Sequence, residues 1–280
     1  MYRTLGIAWF LTLTALPLVA GLLYALLYSL GLAGILGDGF TLAYWQRVFA
    51  EGAVWRSLVY STYIASASMG IACLLALGLV IKLKTAFQKG ILSYVIYFPL
   101  AIPAMVAAFI SFQLLGKAGL FSRLSFALRL SDSLQAFPDL VNDLWGIGII
   151  FSHSLMAFPF LLLLFIGTYE GERVGELKQI AQTLGAGAGY ISRKLIAPIL
   201  LKRNFAAILL YFIFVLGSYE IPLLLGREAP QMISVLTIRK LQRYDLLDKP
   251  EAYIIALIYC VLVLSVMVFS LRRSKILQKA

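Results

Sequence analysis

The chain has 280 residues, of which 61% are hydrophobic and only 13% charged, and its mean hydropathy is +0.91. Soluble domains are about 45–50% apolar and about 25% charged, so a soluble fold of this composition would expose apolar patches that drive aggregation. The composition therefore excludes a water-soluble globular domain and indicates an integral membrane protein.

Six apolar runs are each long enough to cross a bilayer, which takes about 20 helical residues. The first run is longer than the apolar core of a cleaved signal peptide, so we expect it to remain as a helix. None of the runs shows the alternation of a barrel strand. We predict an all-α membrane bundle of six transmembrane helices from the runs Leu5–Leu30, Ser57–Ile81, Gly90–Gly116, Leu144–Tyr169, Asn204–Gly226 and Ala252–Leu271. Within these runs Pro99, Pro103 and Pro159 are expected to kink their helices.

Positive charge is distributed unequally between the two sides that six spans define. The side that carries both termini holds fourteen of the 24 Lys and Arg residues but only three of the 13 acids. The positive-inside rule therefore predicts that both termini are cytoplasmic. We attribute the net charge of +11 to this topology and to anionic lipid headgroups, not to a nucleic-acid partner.

The long inner segment 170–203, between the fourth and fifth runs, has a pattern of its own. Leu177, Ile180, Ala181 and Leu184 recur at helical spacing and form one apolar stripe. Gly185 follows at the position where glycine commonly ends a helix. A second helical stretch begins near residue 190 and continues into the fifth run. The segment is predicted to form a helix, a turn and a helix, which suits docking into a groove of a cytosolic partner.

The same segment resembles the EAA motif of permeases of binding-protein-dependent ABC importers, which is Glu-Ala-Ala, three residues, Gly, nine residues, then Ile-x-Leu-Pro. Aligned on Gly185, the motif places Gln179, Ile180 and Ala181 at Glu-Ala-Ala and Pro198 at the proline. Ala181, Gly185 and Pro198 match outright. Gln179 and Ile180 depart from the pattern, and a neutral Gln offers weaker hydrogen bonds than a charged Glu.

This resemblance implies a type I ABC permease fold and a transport function in a bacterial cytoplasmic (inner) membrane. The implied coupling contact to a separate ATP-binding subunit consists of Glu176, Gln179, Ile180, Ala181, Gly185 and Pro198. A second permease subunit and an extracytoplasmic solute-binding protein are the other implied partners. The chain itself carries no Walker A sequence, because the glycines of 185–189 lack a following Lys-Ser/Thr and Gly116-Lys117 is followed by Ala118. No cofactor is expected.

The resemblance also divides the chain. Residues 1–52 are assigned to the first helix and its outer loop, 53–271 to the type I transmembrane domain with the coupling loop 170–203, and 272–280 to a cytoplasmic tail.

Two residues within the apolar runs are candidates for the translocation path. Glu220 interrupts the fifth run, where an ionised carboxylate in lipid is costly and marks a water path by default. The sequence around Glu220 resembles the fifth span of polyamine, thiamine, ferric-iron and sulfate permeases. This resemblance implies a small polar or ionic solute. Alternatively Glu220 has reached the outer headgroups. His153 either lines the path or relays protons, or it is a neutral histidine hydrogen-bonded between helices.

Two other classes of function remain as alternatives. A self-sufficient channel or secondary transporter would show inverted repeats or several intramembrane charges, and a membrane-embedded enzyme or assembly factor is disfavoured by the missing catalytic set. Cys73 and Cys260 have no metal-ligand spacing and are interpreted as small buried hydrophobic residues.

Overall fold

The computed structural model describes residues 5–6, 9–34, 37, 39–88 and 91–277, with all of their side chains except those of 85–88, 92, 269 and 271–277. Gly90, the first residue of the third predicted run, and the last three residues of the predicted tail lie outside the described residues.

Every regular element in these described ranges is a helix. Short 3₁₀ turns lie at Phe98–Ala101 and Leu134–Ala136, and π-helical turns at Leu11–Ala15 and Ile191–Ile196. The α-helices are α1 (Leu16–Ser29), α2 (Ala43–Ala50), α3 (Gly52–Gln88), α4 (Leu92–Val95), α5 (Ala104–Leu115), α6 (Leu120–Ala127), α7 (Ile147–Gly171), α8 (Val174–Thr183), α9 (Ala188–Tyr190), α10 (Ala197–Arg203), α11 (Phe205–Leu216), α12 (Glu220–Leu225), α13 (Ile233–Gln242) and α14 (Asp248–Leu277).

Within the described part of the chain, five helical segments are long and apolar enough to cross a membrane. They are Leu11–Ser29, Gly52–Lys84, Ala104–Ala127, Ile147–Gly171 and Asp248–Val268. A sixth span exists if Ala188–Arg203 and Phe205–Leu216, which meet at an angle of 63°, are counted as one. The prediction of an all-helical membrane protein is therefore confirmed, with five or six spans.

The third predicted run is not one continuous helix. Its first half is divided between α4 and the 3₁₀ turn Phe98–Ala101, and α5 begins only after Pro103. Proline has no amide proton and its ring clashes with the preceding turn. It also forces the residue before it out of the helical region, and Ile102 accordingly has φ −81° and ψ 123°. Pro159, by contrast, lies inside α7 without ending it.

The fifth predicted run is also interrupted. α11 ends at Leu216, residues 217–219 leave the helix, and α12 begins at Glu220. Pro222 contributes to this break because it has no amide to donate to the carbonyl of Ser218, four residues earlier. The apolar composition of the run does not reveal the break, since both helices are apolar.

Packing divides the chain into two units. The first consists of Met1–Val59 with Met232–Ala280, and the second of Tyr60–Gln231. This division follows contacts within the chain, whereas the boundaries predicted at residues 52 and 271 follow a family resemblance and stay a prediction.

The first unit joins the two ends of the chain. Its core contains six buried side chains from α2, the start of α3, α13 and α14, namely Val48, Val54, Ile233, Leu236, Ile254 and Ile255. The rings of Tyr28 on α1 and Tyr253 on α14 lie 4.8 Å apart. Trp45 Nε1 donates a hydrogen bond to Ser29 Oγ, which attaches α2 to the end of α1.

The second unit contains the rest of α3 and all helices from α4 to α12. Many of its buried positions are small, including Ala65, Ala72, Ala76, Ala107, Ala108 and Ala157. Small residues allow helix backbones to approach closely, which drives helix association in membranes. Asp143 accepts hydrogen bonds from the amides of Trp145 and Ile147 and so caps the start of α7.

Candidate functional site

The helix predicted in segment 170–203 is α8, and it ends as the sequence predicts. Gly185 has φ +83°, a left-handed conformation that glycine adopts without steric cost. Its amide donates to the carbonyl of Gln182, and the amide of Ala186 donates to the carbonyl of Ala181, both at 3.0 Å. These two bonds form a Schellman motif, which satisfies carbonyls that the end of a helix leaves unpaired.

The apolar stripe of α8 points away from the rest of the chain. Leu177, Ile180 and Leu184 are 40%, 57% and 82% exposed. Gln179 is also exposed, and Ala181 is half-buried. Glu176 lies in the first turn of α8, 3.9 Å from Arg173, and both of these side chains are largely exposed. The predicted contact residues on α8 therefore present an uncovered surface that is apolar at its centre and charged at its beginning.

The other side of the loop is well packed. Val174, Ile191, Ile196 and Leu200 are each 0–2% exposed. Because these side chains come from both arms of the loop, α8 and the second arm form one folded body, not a loose connection. The exposed stripe is thus held on a rigid support.

The second arm contains an irregular turn directly before Pro198. The amide of Ala197 donates to the carbonyl of Ser192, five residues earlier, in the π-helical turn Ile191–Ile196. Pro198 follows within the first two residues of α10, where a missing amide is tolerated. Pro198 is half-buried and shapes the second arm, so it lies outside the exposed surface formed by α8.

Two polar contacts that sequence reasoning missed join the second arm of the loop to the end of α7 and to Glu172, the residue that follows it. Asn204, between α10 and α11, exchanges hydrogen bonds with Thr168 of α7 at 2.8 and 3.0 Å. Arg203 pairs with Glu172, with Nε 2.9 Å from Oε1 and Nη2 3.2 Å from Oε2. Each of these residues is visible in the sequence as a polar side chain inside or beside an apolar run. That local pattern does not specify a partner 36 or 31 residues away.

Of the two predicted membrane residues, Glu220 lies at the break in the fifth run, and His153 contacts that break from α7. Glu220 is the first residue of α12 and is exposed. His153 of α7 is buried, and its Nε2 lies 2.9 Å from Oγ of Ser218, two residues before Glu220. The structure thus places His153 between helices, in the arrangement that the hydrogen-bonded alternative requires, and leaves Glu220 on the surface of its unit.

A separate apolar cleft of about 410 Å³ opens on the second unit. It has no charged lining residue and is lined by Pro99, Leu100, Met156, Phe160, Ala207, Leu210, Tyr211 and Phe214. The rings of Phe160 and Tyr211 stack at 5.3 Å. Neither Glu220 nor His153 lines this cleft, so it does not join the predicted path residues.

Metal-binding groups do not assemble within the described part of the chain, where no group of three or more His, Cys, Asp or Glu side chains could hold an ion. Cys73 and Cys260 are free thiols, each partly exposed, so they are less buried than the sequence interpretation held.

Comparison with known proteins relates this arrangement to transporters. No protein-family model matches the chain. The probable ABC transporter permease protein y4fN of Sinorhizobium fredii is 28% identical over 246 residues, which cover 86% of this chain and 41% of that protein. The chain therefore spans about two fifths of the length of this curated relative. A chain of a bacterial ABC transporter involved in the import of the acidic polysaccharide alginate is similar in structure, with a TM-score of 0.69 and 17% identity over 98% of this chain and 94% of that chain.

These comparisons confirm the resemblance of the chain to ABC transporter permeases and its all-helical permease fold.

Proposed function

We propose that this chain, with the sequence resemblance and fold of an ABC permease, is one membrane subunit of an ATP-driven importer. A separate ATP-binding subunit docks on α8 and supplies the energy. A second permease subunit completes the path, and an extracytoplasmic binding protein delivers a small polar or ionic solute. The complex lies in a bacterial cytoplasmic membrane, with the termini and the loop 170–203 on the cytoplasmic side.

The exposed stripe of α8 is the observation that carries this proposal. An apolar helix face on a rigid, well-packed support suits the groove of a partner, because docking removes Leu177, Ile180 and Leu184 from water without a large ordering cost. Gln179 supplies neutral hydrogen bonds to that partner. The accessible carboxylate of Glu176 supplies a charged one, since its exposed pairing with Arg173 is worth little.

The contacts of the loop support its topology. Lys84 lies 4.3 Å from the centre of the Tyr169 ring, and Arg203 pairs with Glu172. The charge distribution assigns Lys84, Glu172 and Arg203 to the cytoplasmic side, and Tyr169 ends the predicted run next to it. These pairings agree with the prediction that the residues share one side of the membrane, which the positive-inside rule assigns to the cytoplasm.

The solute path is proposed to pass near the break at residues 217–219. A polar backbone break within an apolar run is tolerated where it is buried in protein or lines an aqueous cavity. Glu220 would face that cavity and His153 would hold the break through Ser218. The motif around Glu220 favours a solute of the polyamine, thiamine, iron or sulfate type.

Co-purification tests the docking surface. The tagged full-length chain is purified in detergent from its host membranes, and ATP hydrolysis by the purified material is measured. We expect a Walker A subunit and ATPase activity with the wild-type chain, and at least a tenfold loss of both with Ile180→Asp or Leu184→Asp. The control is Leu130→Asp, which alters a leucine that is 77% exposed outside the loop and should retain both. Stripe variants that keep the ATPase would overturn the docking surface.

Cysteine labelling tests the topology. In a background without Cys73 and Cys260, Gln182→Cys, at an exposed position outside the apolar stripe, should react with a membrane-impermeant maleimide in inside-out vesicles but not in intact spheroplasts. Labelling from the outer side would leave the ATPase without access to α8, and the importer proposal would fail.

A further inference from the structure

The loop 170–203 is attached to the membrane helices at both of its ends. It leaves α7 at the turn that contains Thr168 and Glu172, and it enters α11 through Arg203 and Asn204. The two hydrogen bonds between Asn204 and Thr168 and the ion pair between Arg203 and Glu172 join these two ends directly. We refer to these four residues as the base clamp.

Asn204 occupies the point where the chain bends by 63°. Its Nδ2 donates to the carbonyl of Leu200 at 2.8 Å as well as to Thr168, and its own carbonyl accepts from the amide of Ile208 at 3.0 Å. Asn204 is only 6% exposed. One side chain thus bonds the last turn of α10 and the helix α7 at once, while its backbone starts α11. A buried amide satisfied in this way fixes a geometry, because other arrangements would leave its polar groups unpaired.

The ion pair provides a second attachment one helical turn from the first. The guanidinium of Arg203 meets the carboxylate of Glu172 through two separate nitrogen–oxygen contacts, at 2.9 and 3.2 Å. A two-point contact of this kind fixes orientation as well as distance. Together, the two attachments resist both separation and rotation of the two ends of the loop.

We propose that the base clamp makes the loop and the adjoining ends of α7 and α11 move as one body, with Asn204 as the positioning residue that holds the bend. This inference rests on the proposed function, in which a partner pushes on α8. With the clamp closed, the displacement of α8 passes into both membrane helices together. With the clamp open, the two arms separate at the bend and the displacement is lost within the loop.

Spin-label distances test the clamp in the full-length chain without any partner. Labels are placed at Gln182→Cys, on α8 outside the apolar stripe, and at Leu155→Cys on α7, both at exposed positions, in a background without native cysteines. The distance distribution should be narrow for the otherwise unmodified chain and at least twofold broader with Asn204→Leu. Lys202→Gln, a change of an exposed side chain next to the clamp, should leave the width unchanged. An unchanged width with Asn204→Leu would overturn the proposal.

Two further variants keep the test decisive if Asn204→Leu does not insert. Thr168→Val removes one hydroxyl at constant shape and should broaden the same distribution. Glu172→Arg should also broaden it, and adding Arg203→Glu to make the charge-reversed pair should restore the narrow distribution. A merely structural loss would not be rescued by this reversal, so failure of the rescue would count against the ion pair as part of the clamp.

The purified complex then links the clamp to the energy source. With ATP and vanadate, the labelled wild-type chain should keep the distance between α8 and α7, while the Thr168→Val chain should show a shifted distance. An equal response of both chains would overturn the clamp. If no ATPase accompanies the wild-type chain, the proposed function fails, whereas the distances in the isolated chain still decide whether the clamp exists.

Discussion

Lys240 donates a 2.7 Å hydrogen bond to Glu251, and the two side chains are only 5% and 11% exposed. The same ammonium group donates to Glu51 at 2.8 Å and lies 3.9 Å from Asp248. These contacts join α13 to the start of α14 and to the residue before α3, all within the first unit. A buried charge is tolerated because it is paired on several sides.

Removing the charge of Lys240 should destabilise the first unit strongly. Lys240→Met leaves Glu51 and Glu251 without their shared cation, and breaking a buried ion pair on one side costs about 3–5 kcal/mol. The free energy of unfolding in detergent is the measurement. Lys117→Met is the control, since Lys117 and Asp139 pair at 3.0 Å with both side chains more than half exposed, and exposed pairs contribute about 1 kcal/mol or less. Equal losses in the two variants would contradict the role of burial.

From neutral pH upward, the stability that Lys240 provides should depend on pH only in the alkaline range. Burial alone lowers the pKa of Lys240, but its hydrogen bonds to Glu251 and Glu51 and the charges of those carboxylates outweigh burial, so the pKa of this ammonium group is raised above its ordinary value. A raised pKa in the folded state gives a contribution that is complete below the unfolded value and is lost as the pH rises through the folded value.

The difference in melting temperature between the wild-type chain and Lys240→Met should therefore be constant from neutral pH to about pH 10 and shrink only above it. A difference that already shrinks between pH 7 and 9 would show that the ammonium group is not held in its charged form as the contacts require.

A side chain at Gly185 should loosen the end of α8 through backbone conformation and not through collision. A Cβ added there would have no atom within 4 Å, but φ is +83°, and a left-handed conformation costs an L-residue about 1–2 kcal/mol. Gly185→Val should speed hydrogen exchange at the amides of residues 185 and 186 and weaken ATPase capture. Gly185→Asn should have a smaller effect on both the exchange and the capture, because Asn tolerates the left-handed region.

Gly187 offers a matched control for this experiment. It lies two residues away and a Cβ would also have open space, but its φ is −69°. Gly187→Val should therefore leave the exchange at residues 185 and 186 close to that of the wild-type chain. Similar effects of the two valines would refute the conformational explanation.

His153 is expected to act through packing at the break. His153→Leu removes the hydrogen bond between the buried imidazole and Ser218, and a typical intramolecular hydrogen bond contributes about 0.5–1.5 kcal/mol to stability. His153→Gln keeps a hydrogen-bonding side chain and should recover most of that stability. If His153 relayed protons, the glutamine variant would change the pH dependence of ATP hydrolysis by the purified complex. We expect identical profiles from pH 5.5 to 8 for wild type and glutamine variant, and a displaced profile would establish a proton-relay role.

The membrane spans and the loop were predictable because each is encoded locally. A run such as 144–169 contains no charged residue that would have to lie in lipid. The observed helix α7, Ile147–Gly171, closely matches this run. Gly185 ends α8 because the helical stripe and the glycine are adjacent in sequence. The interruption near Pro103 was expected as a kink, whereas the break near Pro222 was less visible, since apolar composition reports burial in lipid but not the loss of one amide donor.

The polar contacts across the fold were not predictable from one sequence. Lys240 and Glu51 are 189 residues apart, and Thr168 and Asn204 are 36 apart. Nothing in the local pattern pairs them, because their proximity results from how whole helices pack. Glu220 illustrates the converse: its charge was conspicuous in sequence, yet it lies at the exposed start of a short helix.

The first unit has a consequence for the biogenesis of the protein. Tyr28 of α1 leaves the ribosome early, whereas its neighbour Tyr253 follows more than two hundred residues later. At synthesis rates of about 5–20 residues per second, the first helix waits for roughly ten seconds or more. During that interval lipid or an insertion factor must cover its aromatic face, so translation stalled before α14 should yield nascent chains that quality-control proteases recognise.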